Sequence, residues 1–312
     1  MNAILNRRKG AATAIAALAL VPATAFAATI DGGDRSERLR GTSAADVING
    51  NGGNDRIWGF AGNDELNGGP GNDRIWGGDD DDTILGLQGN DRLYGGKGND
   101  TITGDTNGAG DRTSNDRIYG QAGDDTLRGG DSRDRIYGGS GNDTSFGENG
   151  NDRMSGGSGD DTQHGGDGND TIYANSGVDV SYGGDGNDSL WALARSDVKP
   201  GPNGEVDTEG DTLDGGKGDD KIRTRDGEVD KVTCGEGNDR AYLDKVDVIT
   251  DATPENPNGS CEKVTRQDPK PTKAQRKAAA KKKREADRRK AAEKKAEKKA
   301  AREDRGHGEG RS

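Results

Sequence analysis

The chain of 312 residues is 27% hydrophobic and 4% aromatic, contains 54 Gly and carries a formal net charge of −12. So little apolar material excludes an ordinary large core, and composition alone would place the chain among disordered proteins. A strict nine-residue period argues against that, because disorder needs no register.

Met1 to Ala27 reads as a secretory signal. It has a basic start (Arg7-Arg8-Lys9), an apolar stretch from Ala11 to about Val21, and a small-residue site at Ala25-Phe26-Ala27, which puts the mature start near Ala28. The alternative, an N-terminal membrane anchor, calls for a longer apolar run. No other stretch is apolar enough to span a bilayer, so the mature chain is expected to lack a transmembrane segment. The expected location is secreted, extracellular or associated with the cell surface.

From Gly41 onward the chain repeats one phrase, seen clearly in Gly68-Gly69-Pro70-Gly71-Asn72-Asp73-Arg74-Ile75-Trp76. Aligned on its Asp, the phrase recurs every nine residues from Asp46 to Asp100 and from Asp116 to Asp188, with weaker copies at Asp211, Asp220, Asp230 and Asp239. The Gly-Gly-x-Gly-Asn-Asp half is turn chemistry, since glycine reaches positive φ and Asn and Asp tolerate it. The three residues that follow alternate out, in, out and predict a very short strand. Turn, strand, turn, strand winds a flattened coil, two phrases per turn, with two parallel sheets facing each other.

Copies such as Gly95-Gly96-Lys97-Gly98-Asn99-Asp100-Thr101-Ile102 and Gly165-Gly166-Asp167-Gly168-Asn169-Asp170-Thr171-Ile172 carry a family resemblance. The run from about Gly41 to Trp191 resembles the RTX (haemolysin-type) calcium-binding repeats, with their G-G-x-G-x-D-x-U-x signature. The resemblance implies an all-β fold, a parallel β-roll (two-sheet β-solenoid) of nonapeptide repeats. It also implies multiple Ca²⁺ ions between successive turns, held by glycine-turn carbonyls and by Asp55, Asp64, Asp73, Asp82, Asp91, Asp100, Asp116, Asp125, Asp143, Asp152, Asp161, Asp170, Asp188 and Asp220. Elementary chemistry points the same way. Calcium takes six to eight hard oxygens, and two inward side chains per turn are a meagre core against the entropy of ordering that turn. Folding and calcium binding are therefore expected to be one event. The turns before Asp46 and Asp179 lack most glycines, and Ser132-Arg133 precedes Asp134, so weak or empty sites are expected there.

Alternate copies differ. One set follows its Asp with Arg, an apolar residue and an aromatic: Arg56/Trp58, Arg74/Trp76, Arg92/Tyr94, Arg117/Tyr119 and Arg135/Tyr137. These residues are a candidate partner face, for a glycan by stacking or an anionic cell-wall polymer by charge. The plainer account is that same-face Arg and aromatic rings pack on one another. The other set shows Thr, and its inward residues decline from Ile84, Ile102 and Leu127 to Ser145, Gln163 and Ser181; that sheet is expected to pack poorly beyond about residue 140. The alternation survives the gap between Asp100 and Asp116, which predicts that 103–113 bulges from an unbroken roll.

The expected layout is a signal peptide (1–27), the roll (28–191), an insertion loop (192–210), degenerate repeats with a C-terminal cap (211–268) and a basic tail (269–312). Cys234 and Cys261 are expected to pair and close the cap, as cysteines of exported proteins do; the alternative is two free thiols on a frayed end. From Lys270 the tail carries 18 Lys/Arg against 7 Asp/Glu. It is rich in helix formers but has no apolar stripe, so a helical or disordered solvated tail is expected. An electrostatic anchor is the functional alternative. Without interleaved aromatics, no specific nucleic-acid partner is expected.

No catalytic motif stands out, and the abundant carboxylates are repeated rather than set apart as one pair. The expectation is a non-enzymatic calcium-binding module, structural or adhesive. The alternative is an extracellular enzyme or effector that uses the roll as its scaffold.

Overall fold

A computed structural model describes residues 26–105, 114–192, 210–226 and 228–267, with Lys277, Lys281, Lys283 and Arg284 as isolated helical positions of the tail. The expected signal up to residue 25, most of the bulge and of the insertion, and the tail apart from those four positions lie outside the described residues.

Twenty-four strands run from Thr29–Asp31 to Lys263–Gln267 and alternate between two twelve-stranded sheets. Odd-numbered strands form one sheet and even-numbered strands the other, each pairing in parallel with the strand one turn away. This is the all-β, two-sheet β-solenoid that the nine-residue period predicts. Every second phrase lands directly above its predecessor, as in Arg56↔Arg74↔Arg92 and Trp58↔Trp76↔Tyr94.

The core is two facing columns one side chain wide. Ile57, Ile75, Leu93, Ile118, Ile136, Met154, Ile172, Leu190 and Ile222 fill it from the even sheet, and Ile48, Leu66, Ile84, Ile102, Leu127, Leu213 and Val232 from the odd sheet; all are fully buried. Ser145, Gln163 and Ser181 do point inward as their positions require, but the odd sheet does not deteriorate there. Its strands Thr144–Asn149, Thr162–Asp167 and Val180–Asp185 keep their register. The reason is hydrogen bonding. With its amide turned to suit its neighbours, Gln163 donates to the Tyr173 carbonyl (3.2 Å) and accepts from the Gly156 N–H (3.0 Å). A buried polar side chain with partners costs far less than one without.

Both interruptions leave the stacking intact. Strand Arg92–Lys97 pairs with Arg117–Ala122 across the first, and Ser189–Trp191 pairs with Lys221–Arg223 across the second. Thr103 closes strand Thr101–Thr103, so the bulge begins later than the composition of 103–113 implies. The first strand begins at Thr29, and residues 212–267, expected as degenerate repeats with a cap, carry six more strands in the same two sheets. Many strands are also six residues long, because pairing continues into the Gly-Gly-x segment, as in Gln121↔Gly139 and Ala122↔Ser140.

The turns require glycine for two reasons at once. Gly168 sits at φ +134°, and a Cβ there would collide with the Gly150 carbonyl oxygen one turn away. Cys234 and Cys261, both buried, are joined in a disulfide 27 residues apart in sequence, tying the last turns together. Closing a loop of that size contributes on the order of 3 kcal/mol. Among the described residues, no helix is long and apolar enough to cross a membrane.

Candidate metal centre

Parallel stacking in register puts the Asp of one turn against the Asp of the next. One oxygen of each is then used by the backbone. The Asp55 N–H donates to Asp73 Oδ1 (2.7 Å) and the Asp73 N–H to Asp91 Oδ1 (2.7 Å). On the other file the Asp64 N–H donates to Asp82 Oδ1 (2.9 Å) and the Asp82 N–H to Asp100 Oδ1 (2.8 Å). Asp55, Asp73, Asp91, Asp116, Asp152, Asp170, Asp188 and Asp220 precede even strands; Asp64, Asp82, Asp100, Asp125, Asp143 and Asp161 precede odd strands. The structure thus brings the fourteen candidate ligands together as two files along the turns, none more than 3% exposed.

The second oxygen is where the chemistry lies. In Asp55, Asp64, Asp73, Asp82, Asp91, Asp100, Asp125, Asp143, Asp152, Asp161, Asp170, Asp188 and Asp220, Oδ2 is buried and receives no hydrogen bond. In most of them it faces the first glycine of its own turn and a peptide carbonyl one turn on, usually that of a glycine. A Cβ on Gly68 would fall closer than 3.0 Å to both Asp73 Oδ2 and the Gly86 oxygen, and one on Gly95 would do the same with Asp100 Oδ2 and the Gly120 oxygen. Each turn therefore holds a cradle lined by a carboxylate oxygen and a peptide oxygen, kept open by the missing side chain. These are the hard donors that calcium takes, and an unpaired buried carboxylate is otherwise costly.

Burial pushes the carboxyls well above their ordinary value of 3.8. Asp64, Asp100, Asp143, Asp170 and Asp220 are raised to about 6, and Asp73, Asp125, Asp152 and Asp188 to about 7. Asp82 and Asp161 rise to about 8 and Asp91 to about 9. Desolvation is the main cause in every case. The backbone N–H on Oδ1 pulls the other way, and neighbouring Asp residues of the file push upward again.

Three turns with irregular sequences resolve differently. Asp46 receives N–H bonds from Ala28 on Oδ1 and Thr42 on Oδ2, so Thr42 occupies the carboxylate where a glycine phrase would leave it open. Asp134 is placed like its regular neighbours despite Ser132-Arg133. It accepts from the Asp116 N–H (2.7 Å), its Oδ2 has no donor, and burial raises it to about 9. Asp179 is buried and accepts the Asp161 N–H (2.8 Å). Asp230 and Asp239, outside the candidate ligand set, have the same arrangement, with Oδ1 on the Asp211 and Asp220 N–H groups and Oδ2 without a donor.

Sequence reasoning missed a second ladder. Before many of these Asp residues stands an exposed Asn or Asp whose side chain accepts from the N–H one turn on: Asn72 N–H to Asn54 Oδ1 (2.7 Å), and Asn90 N–H to Asn72 Oδ1 (2.8 Å). It bonds forward along the roll while the Asp ladder bonds backward, so each turn is held from both sides. The Gly-Asn-Asp spelling carried that signal.

The candidate partner residues all lie on the even sheet. Trp58, Trp76, Tyr94, Tyr119 and Tyr137 stack as one column, with ring centroids 4.9–5.6 Å apart and planes within 6°. The expected Arg–aromatic packing between neighbouring strands is present on this sheet, with Arg40 over Trp58, Arg153 over Tyr173 and Arg223 over Trp191, though not through the five Arg of the candidate face. Arg56, Arg74, Arg92, Arg117 and Arg135 form a parallel column that lines an edge groove with Asn54, Asn72, Asn90 and Asn115. Among the described residues, none of these five guanidinium groups has an ion pair.

The family model of the RTX calcium-binding nonapeptide repeat (4 copies) matches residues 31–64, 58–93, 76–107, 112–145, 146–163, 156–190 and 207–241, together more than half of the chain. The search of curated proteins found no match to the chain.

A pH dependence follows from the raised carboxyls. Their folded values exceed the unfolded value of 3.8, so the stability they confer is complete below that value and is lost as pH rises through about 6 to about 9. Metal-free protein is expected to lose β-structure in far-UV circular dichroism between pH 5 and pH 9. An unchanged spectrum over that range would contradict the placement of these groups.

Proposed function

The chain belongs to the RTX calcium-binding nonapeptide repeat family, and from that premise we propose that it is a secreted module whose roll folds on binding calcium and then acts as a structural or adhesive element outside the cell. One observation carries the reading: the two files of buried Asp Oδ2 atoms that have no donor and face glycine carbonyls. Calcium bound there supplies the positive charge that offsets repulsion along each file. Asp73, Asp91 and their counterparts supply the carboxylate oxygens, the first glycine of each turn leaves room, and the Asn ladder holds the spacing.

Export is supported by the basic, apolar and small-residue segments of 1–27 and by the Cys234–Cys261 bond, which suits an oxidising compartment. Extracellular calcium modules work at millimolar ion, so such a chain would fold only after leaving the cell. A structural role fits the carboxylates better than a catalytic one. Acid–base chemistry needs two groups whose surroundings drive their pKa values apart, whereas Asp73, Asp82 and Asp161 are all raised for the same reason, burial.

The unpaired column Arg56, Arg74, Arg92, Arg117 and Arg135, beside the ring column from Trp58 to Tyr137, favours an anionic cell-wall polymer or glycan as partner. Parallel strands repeat the charge every ~4.8 Å, and the rings offer stacking surface next to it.

Two measurements test this reading. In excess chelator at pH 8 the far-UV spectrum should be that of a largely unfolded chain, and millimolar CaCl₂ should produce the β spectrum; identical spectra would refute coupled folding. The calcium-loaded protein should bind an acidic polysaccharide, and Arg74→Ala/Arg92→Ala/Trp76→Ala should weaken binding by about tenfold or more. Equal binding by that variant would remove this face from consideration.

A further inference from the structure

At its C-terminal end the odd-sheet file of Asp residues meets a different kind of carboxylate group. The turn leading into strand Lys231–Thr233 carries Asp226, Glu228 and Asp230, and the turn leading into Val248–Ile249 carries Asp247, with Asp244 closing the strand Arg240–Asp244 before it. Neither turn has the Gly-Gly-x-Gly phrase. The two are stacked, with the Asp230 N–H directed at Asp247 Oδ1 (3.4 Å).

Carboxylate oxygens of Asp226, Glu228 and Asp230 lie within 4.8 Å of one another. Asp230 is fully buried, and its Oδ2 has no hydrogen-bond donor. Asp226 Oδ2 also lacks one, as does the fully buried Asp244 Oδ2 on the neighbouring turn. Asp247 is different, because its Oδ2 accepts from the Asp244 N–H (2.8 Å) and the Thr224 hydroxyl (2.5 Å). Among the described residues, no Lys or Arg forms an ion pair with Asp226, Asp230, Asp244 or Asp247. Arg266 reaches this end of the roll, but it donates to the backbone carbonyls of Asp244 (3.3 Å) and Asp247 (2.9 Å), not to the carboxylates.

We propose that Asp226, Glu228 and Asp230, with Asp244 behind them, form an additional calcium site built from side chains, which closes the C-terminal end of this edge. It differs in kind from the repeat cradles. There, one carboxylate oxygen of each phrase faces a peptide carbonyl; here three carboxylates converge in a turn without the Gly-Gly-x-Gly phrase. An all-oxygen donor set on an irregular turn suits calcium, which tolerates variable geometry, better than magnesium, which demands a near-ideal octahedron. Affinity rises with the number of charged ligands, so this site should keep its ion at calcium concentrations that empty the repeats.

The test compares the full-length wild-type protein with Asp226→Asn/Glu228→Gln, and with Asp64→Asn as a repeat-site control. Each is stripped and titrated with CaCl₂ in a calorimeter, and bound calcium is counted by atomic emission after desalting into low calcium. The double variant should lose one ion from the tightest class, with affinity there falling about tenfold or more, and should keep its β spectrum in millimolar calcium. Asp64→Asn should lose a weaker ion and keep the tight one. The inference is overturned if the double variant retains the wild-type count and the same tightest class. If the double variant does not fold, Asp226→Asn alone is read in the same way, since Asp226 is the least buried of the three. Wild-type protein that takes up no calcium at all would overturn the repeat-site reading as well; uptake that the variant matches would overturn only this one.

Discussion

Each regular phrase of this roll buries a carboxylate, ties one of its oxygens to the backbone and leaves the other without a donor beside a glycine. Most features of the chain follow from that constraint. The first glycine of the phrase is needed because a Cβ would fill the space in front of Asp Oδ2. Aspartate is needed because its short side chain lets Oδ1 meet the N–H one turn away while Oδ2 stays inside. The raised carboxyls are the electrostatic result of the same burial. A fold built this way is under-stabilised by its own side chains, and that is the deficit which the proposed calcium would offset.

The organisation of the molecule reflects how little the core contributes to its specificity. Each turn adds one inward side chain per sheet, and the odd sheet tolerates Ser145, Gln163 and Ser181 in succession. The register is set at the edges, by the Asp ladder bonding backward and the Asn ladder bonding forward. Edges of that kind absorb insertions. The Asp91 N–H reaches Asp116 Oδ1 (2.8 Å) and the Asp188 N–H reaches Asp220 Oδ1 (2.7 Å) across added residues, with the same geometry as within the regular repeats.

The fold was legible because the repeat is short and strict: period, sheet number and the parity of the Arg and Thr faces all follow from counting. The Asp files were legible for the same reason. What could not be read was how an irregular turn satisfies its carboxylate. Thr42 caps Asp46 through its backbone N–H, whereas Ser132-Arg133 leaves Asp134 as open as its neighbours. Both turns look equally degenerate in composition, and only the path of the chain separates them. The end of the roll was obscured in the same way. Asp230 and Asp239 lie in turns whose glycines have drifted, yet stacking continues through them to Glu262, whose Oε2 takes the Asp239 N–H (2.7 Å) in place of the next Asp. The Cys pair could be foreseen from the export that residues 1–27 lead one to expect, but not that both cysteines would be buried among the last turns of an unbroken roll.

Whether the donor-less Asp oxygens are calcium ligands is decided by anomalous difference density from a calcium-loaded crystal. Calcium in the cradles should give a row of peaks along each edge, each 2.3–2.6 Å from an Asp Oδ2 and a glycine carbonyl of an adjacent turn. Ordered turns with no peak beside Asp73, Asp91 or Asp82, their carboxyls instead protonated and bonded to water, would contradict it.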